Sequence, residues 1–254
     1  MTPASRSAAL EPFRHDGGDV GVLLCHGFTG SPASLLPWAQ RLADEGFSVR
    51  LPLLPGHGTS WQQMNRTTFD DWLGEVRTAL TDVAGHCRTV VVGGLSMGGT
   101  LTLRLAELHP ESIAGIVLVN PSVMSLRKEM AALPVLKLLV PSFKGITDDI
   151  ARPGATEFGY DRTPLKAVDA LRKGWAVTRA DLPQITMPVL LLRSRVDHVV
   201  EPENAALILD RIASTDVVEI VLERSYHVAT LDFDDELIFD ESVAFARRVT
   251  KEPS

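Results

Sequence analysis

The 254-residue sequence predicts an α/β fold, a mostly parallel sheet with helices on both faces and a small inserted cap. Three observations carry the prediction. Short apolar, β-branched runs alternate along the chain with segments of helical apolar spacing, and turn residues separate them. The alternation breaks once, from residue 122 to 163, where prolines recur around an apolar cluster. The core is therefore expected over residues 1–121 and 164–254, with 122–163 as the cap.

In chain order, Asp19 to Cys25 reads as a buried strand, followed by the loop His26-Gly27-Phe28-Thr29-Gly30. Backbone N–H groups in such a glycine-bracketed loop are free to face a developing oxyanion; a plain strand-to-helix connection is the alternative. Ser31 and Pro32 suit a helix start, and Leu35, Trp38 and Leu42 form its apolar stripe. Phe47 to Leu54 is the next strand, the turn Pro55-Gly56-His57-Gly58 follows, and Trp61 to Thr67 reads as irregular. Thr68 caps a helix whose first turn holds Asp70 and Asp71 and whose buried face is Phe69, Trp72, Val76, Leu80 and Val83.

The run Thr89-Val90-Val91-Val92 leads to Gly94-Leu95-Ser96-Met97-Gly98 and then to helical spacing at Leu101, Leu105 and Leu108. Strand, sharp turn and helix is the setting in which a serine hydroxyl is lifted above a sheet, with glycines relieving the crowding around it. Ile113 to Val119 is another strand. Within the insertion, Met130, Leu133, Val135, Leu136, Leu138, Leu139 and Val140 line an acyl pocket, touch lipid aggregates, or simply bury the cap on the core; these readings stand as alternatives. Beyond it come a helix over Leu165 to Thr178, a strand over Pro188 to Leu192, a helix from Pro202 to Ile212, a strand over Val217 to Leu222 and a final helix bearing Ile238, Phe245 and Val249.

A serine hydroxyl needs a base to take its proton, and the base needs a carboxylate to orient it. Ser96, Asp197 and His227 occur in that order, and the last two fall just past predicted strands. Asp232 is a weaker candidate for the acid. His26 and His57 read as structural loop residues, and His15, His86 and His109 as surface residues. Cys25 and Cys87 are the only cysteines and read as free thiols; neighbouring strand residues point to opposite faces, so Cys25 and His26 would not pair.

With 25 basic and 32 acidic residues, a net charge of -7 and no long basic run, nucleic acid is excluded as a partner. Residues 1–10 lack a signal-peptide core and no stretch reaches bilayer-spanning length, so a soluble cytoplasmic protein is expected. No cofactor or metal is expected, and the chain is expected to be a monomer or homodimer.

Over nearly its whole length the sequence resembles the α/β-hydrolase superfamily, and within it the bacterial monoacylglycerol lipases and related small thermostable carboxylesterases. The resemblance is carried by Val22 to Gly30, Leu54 to Gly58, Gly94 to Gly99, Val196 to Val200 and Ser225 to Asp232. It implies that Ser96 attacks an ester carbonyl, that His227 serves as base and then acid, and that Asp197 orients it. It also implies an oxyanion hole from the backbone N–H groups of Phe28 and Met97, a role for Glu157 in holding glycerol hydroxyls, to which a solvated surface glutamate is the alternative, and a role for Ile146 in shaping the acyl and alcohol pockets. Monoacylglycerols or medium-chain acyl esters are the implied substrates. Ser194 departs from the family's usual glycine three residues before the acid. Acyl transfer or thioester cleavage on the same residues, and a ligand-binding protein with little turnover, stand as alternatives.

Overall fold

The computed structural model describes residues 10–145 and 148–251. Its seven-stranded sheet is ordered β1-β3-β2-β4-β5-β8-β9, where β1 is Phe13–His15, β2 Val20–Cys25, β3 Ser48–Leu51, β4 Thr89–Leu95, β5 Ile113–Val119, β8 Val189–Ser194 and β9 Val217–Leu222. Only β1 runs antiparallel, against β3; the other pairings are parallel. Two short strands, β6 (Ser142–Lys144) and β7 (Arg162–Pro164), form a separate antiparallel pair.

Alternation along the central strands divides the core in two. Leu23, Val90, Val92, Ile116, Leu118 and Leu191 face one side, packing with residues of α3 (Phe69–Ala84), α4 (Met97–Leu108) and α6 (Leu165–Asp181). Val22, Leu24, Val91, Val117, Leu190 and Leu192 face the other, packing with residues of α1 (Leu36–Asp44) and α8 (Asp235–Val249). A strand buried on both faces reads as an unbroken apolar run, which is why β2, β4, β5 and β8 stand out in the sequence.

Several local expectations need correction. Ser31 does not cap α1: it precedes a single 3₁₀ turn, Pro32–Ser34, makes no capping hydrogen bond, and α1 starts after Leu35. Trp61–Met64 is not irregular but a one-turn helix, α2, capped by Ser60, whose hydroxyl accepts from Gln63 N–H. The strand after Gly46 is only four residues long, because Pro52 and the turn that follows end its pairing. By contrast, Thr68 caps α3 as expected, and Asp71 adds the reciprocal bond back to the Thr68 backbone N–H.

Between β5 and α6 the chain forms α5 (Glu129–Leu139) and the β6–β7 pair. Strands of three residues are too short for alternation to register in a sequence, so the expectation that strands cease over this stretch fails there. Helix α5 is tied to the core through Lys137 Nζ, 2.5 Å from Asp169 Oδ2, and it buries Leu133 while leaving Leu138 73% and Leu139 75% exposed. α7 (Glu203–Arg211) and α8 complete the chain. Among the described residues, no helix is long and apolar enough to cross a membrane.

Candidate active site

Ser96 sits between β4 and α4 with φ 57° and ψ −117°, a region that side chains rarely occupy. The strain is held by the backbone: Ser96 N–H donates to Val119 O at 3.0 Å, while Ser96 O accepts from Gly99 N–H at 2.9 Å and Ser122 N–H at 3.2 Å. Neighbouring chain passes too close for any side chain here. A Cβ on Gly98 would overlap the Cys25 carbonyl, and one on Gly94 would overlap the Gly98 backbone.

His227 and Asp197 follow β9 and β8, and the structure joins them: His227 Nδ1 donates to Asp197 Oδ2 at 2.8 Å. Asp197 Oδ1 accepts the N–H groups of Val199 and Val200, each at 2.8 Å. Burial alone would raise the Asp197 pKa, but His227 and these two donors outweigh it and hold the carboxyl below its ordinary value. Burial alone would lower the His227 pKa; the charge and hydrogen bond of Asp197, then Glu157 and Asp149, outweigh it and the net shift is upward.

The loop bearing His227 is braced from below by Asn120, at the end of β5. Its Nδ2 donates to His227 O at 2.8 Å and to Ser194 Oγ at 3.0 Å, and its Oδ1 accepts Ser194 N–H at 2.7 Å. Ser194 Oγ donates to Tyr226 O at 2.8 Å. The serine is therefore accommodated without positive φ, and its hydroxyl is used in the brace.

In the loop after β2, Phe28 N–H has no protein acceptor among the described residues. Met97 opens α4, where the first N–H groups have no intrahelical partner. Thr29 adopts φ 62°, its hydroxyl donates to Phe28 O at 2.6 Å, and its own carbonyl accepts from Tyr160 N–H at 3.2 Å. The loop is thus held in one shape from both sides.

His26 is fully buried. Its Nε2 accepts Leu54 N–H at 3.2 Å and its Nδ1 donates to Gly27 O at 3.0 Å; burial first, against that bond, lowers its pKa to about 4. His57 packs edge-on against His26 and Trp72, and burial and the neighbouring His26 keep it neutral. Both are structural. Cys25 is buried with its thiol pushed up to about 12, chiefly by burial, so it is no nucleophile. Asp232 accepts from the N–H groups of Ala151, Arg152 and Tyr226 rather than from His227.

Ser96, His227, Phe28 and Glu157 share the wall of one cavity of about 340 Å³. Its other walls are largely apolar, with Met130, Leu133 and Leu136 from α5 and Leu165, Val168 and Leu171 from α6. The Glu157 carboxyl is raised to about 7 by burial, opposed by His227 and reinforced by Asp148. One of its oxygens lies where a side chain on Gly30 would stand. Ile146 lies outside the described residues. Sequence reasoning missed Asp149 and Asn120: no motif marks an aspartate in an irregular segment, although Asn120 follows a clear strand.

The fold and this site define an α/β-hydrolase, and the comparisons with known proteins agree. Residues 19–234 match the family described as serine aminopeptidase, S33, and the chain belongs to that family. It is 43% identical over 238 residues to a thermostable monoacylglycerol lipase of Bacillus sp. (strain H-257), covering 94% of each chain. It is 28% identical over 242 residues to a carboxylesterase of Bacillus subtilis (strain 168), covering 94% of this chain and 97% of the relative. A solved structure from work on the metagenome-derived lipolytic enzymes LipS and LipT superposes with a TM-score of 0.92 at 40% identity, covering 94% of this chain and 98% of that one. By class, the chain is a carboxylic ester hydrolase.

Proposed function

We propose that the enzyme cleaves monoacylglycerols or comparable medium-chain acyl esters through an acyl-enzyme on Ser96. The observation that carries this reading is His227, bonded to Asp197 at 2.8 Å and lining the same cavity as a serine held in a strained turn. Ser96 Oγ attacks the ester carbonyl while His227 takes its proton, and the N–H groups of Phe28 and Met97 receive the negative charge on the carbonyl oxygen. Asp197 stabilises the imidazolium that forms. His227 then protonates the departing alcohol, and a water, deprotonated by the same imidazole, releases the acid and restores Ser96.

Residues 122–163 act as a cap over the carboxyl ends of the strands, and the apolar walls supplied by α5 and α6 receive the acyl chain. Glu157 binds the glycerol hydroxyls, a role supported by its place on the cavity wall with Ser96. The exposed Leu138 and Leu139 of α5 make transient contact with lipid aggregates. The protein works in the cytoplasm, as a monomer or homodimer, without a cofactor.

The test is acid release from a monoacylglycerol series and a matched alkyl ester series, with wild type and Ser96→Ala in parallel. A wide preference for monoacylglycerols with an inactive Ser96→Ala supports the proposal; a preference for short alkyl esters removes the glycerol-binding role of Glu157. In the same assay kcat/KM should rise with pH as His227 becomes neutral. Because its pKa is raised, the midpoint should lie above the ordinary imidazole value of about 6.5. A profile flat from pH 5 to 9 would exclude His227 as the base.

A further inference from the structure

Asp149 lies in the segment between β6 and β7, and its carboxylate ties together two loops that leave different strands. Oδ2 accepts the backbone N–H of His227 at 3.2 Å and that of His198, also at 3.2 Å. Oδ1 faces His198 Nδ1 at 2.7 Å, and the Asp149 carbonyl accepts Val228 N–H at 3.1 Å. His198 directly follows Asp197. One carboxylate oxygen therefore fastens the neighbour of the acid and the base itself.

We propose that Asp149 is a positioning residue that clamps the Asp197 loop to the His227 loop, making their alignment depend on how the inserted segment is seated. The proposal rests on reading Ser96, Asp197 and His227 as the reacting set.

The geometry gives the clamp a reason to exist. Strand β9 is the edge of the sheet, so the His227 loop has a neighbouring strand on one side only. Across β8 and β9 the side-chain ion pairs, Arg193–Glu219 and Arg195–Glu223, are solvent-exposed and add little rigidity. Asn120 holds the carbonyls of Tyr226 and His227 from below. Asp149 holds the N–H groups of His227 and Val228 from the other side, and its side chain is only 10% exposed.

The clamp is itself anchored. Asp232 accepts the N–H groups of Ala151 at 2.6 Å, Arg152 at 2.9 Å and Tyr226 at 2.9 Å, lacing the segment that carries Asp149 to the loop that carries His227. Three carboxylates, Asp197, Glu157 and Asp149, act on His227, with His198 on the far side of Asp149. The Asp149 charge thus also favours the imidazolium that forms as Ser96 attacks.

The experiment measures ester hydrolysis from pH 5 to 9 for wild type, Asp149→Ala and Asp149→Asn, with Ser96→Ala and His227→Ala as references and a thermal melt of each. Asp149→Ala loses both the clamp and the charge, so kcat should fall about a hundredfold with KM nearly unchanged. Asp149→Asn keeps an oxygen for the two N–H groups, so kcat should stay within about tenfold of wild type. Its kcat/KM limb should nevertheless move to lower pH, because a negative charge beside His227 is gone. That shift is one a purely structural role would not produce.

If both Asp149 variants melt like wild type and keep its kcat and its pH limb, the clamp is overturned while the reacting set stands. If Ser96→Ala or His227→Ala turns over like wild type, the reacting set is wrong and the clamp falls with it. Should Asp149→Ala fail to fold, Asp149→Leu takes its place, since it also removes both acceptor oxygens while keeping side-chain bulk: a fall in kcat of about a hundredfold supports the clamp and a wild-type kcat overturns it.

Discussion

Beneath the cavity, Ser96 rests on β4 and α4, where Leu95, Met97, Leu101, Leu103 and Leu105 are all buried to 1% exposure or less. Above it, α5 buries Leu133 while Val135, Leu138 and Leu139 face solvent, and its Lys137 is tied to the core by Asp169. The floor is close-packed, and Gly98 lies so near the Cys25 carbonyl that not even a Cβ fits between them. The roof is held by far less buried apolar surface, of which Leu133 contributes about 2 kcal/mol. In the proposed reaction, attack on a carbonyl demands fixed geometry and admitting an acyl chain a less rigid wall, and the difference in burial between the two regions matches those demands.

The contrast can be broken most directly at its centre. Ser96→Ala should lower turnover by about a millionfold while leaving the melting temperature close to that of wild type, since the floor does not depend on the hydroxyl. Steady-state ester hydrolysis and a denaturation curve on one preparation measure both. Gly98→Ala should instead cost more than about 4 kcal/mol of stability, read by urea unfolding or loss of soluble protein. Wild-type stability for that variant would mean the floor has slack, and the distinction between floor and roof would collapse.

Changes in the roof should act on selection rather than on chemistry. Glu157→Gln should reduce kcat/KM for monoacylglycerols by about tenfold and leave short alkyl esters nearly unaffected. An equal loss on both substrate series would place Glu157 in the chemistry instead. Replacing Leu138 and Leu139 with serine should change stability by no more than about 0.5 kcal/mol, because both are already in water. The same double variant should lose activity on emulsified substrate and keep it on dissolved ester. Loss on both would show that α5 shapes the cavity through its exposed face.

Most of the fold is legible in the sequence because its signals are local. Continuous apolar runs mark β2, β4, β5 and β8, and Thr68 with Asp71 marks the start of α3. The places where the reading fails are short or edge-like: β1, α2 and the β6–β7 pair each offer too few residues for any period to show. Ser31 misleads because a proline follows it, and the first turn after it is 3₁₀ rather than α. In the site, Ser96 is visible because strand, turn and helix are contiguous, and Asp197 and His227 because each follows a strand of the same sheet.

The sequence by itself determined which residues stand at the strand ends, since a strand run and its turn glycines act over a few positions of chain. Only the tertiary structure decided how those ends are held. Asp149 meets the His227 backbone across 78 positions and Asn120 meets it across 107, and Glu157 reaches the cavity from an irregular segment. A hydrogen bond between distant loops leaves no period or composition in either partner. It exists only once the sheet has brought the two loops to the same end.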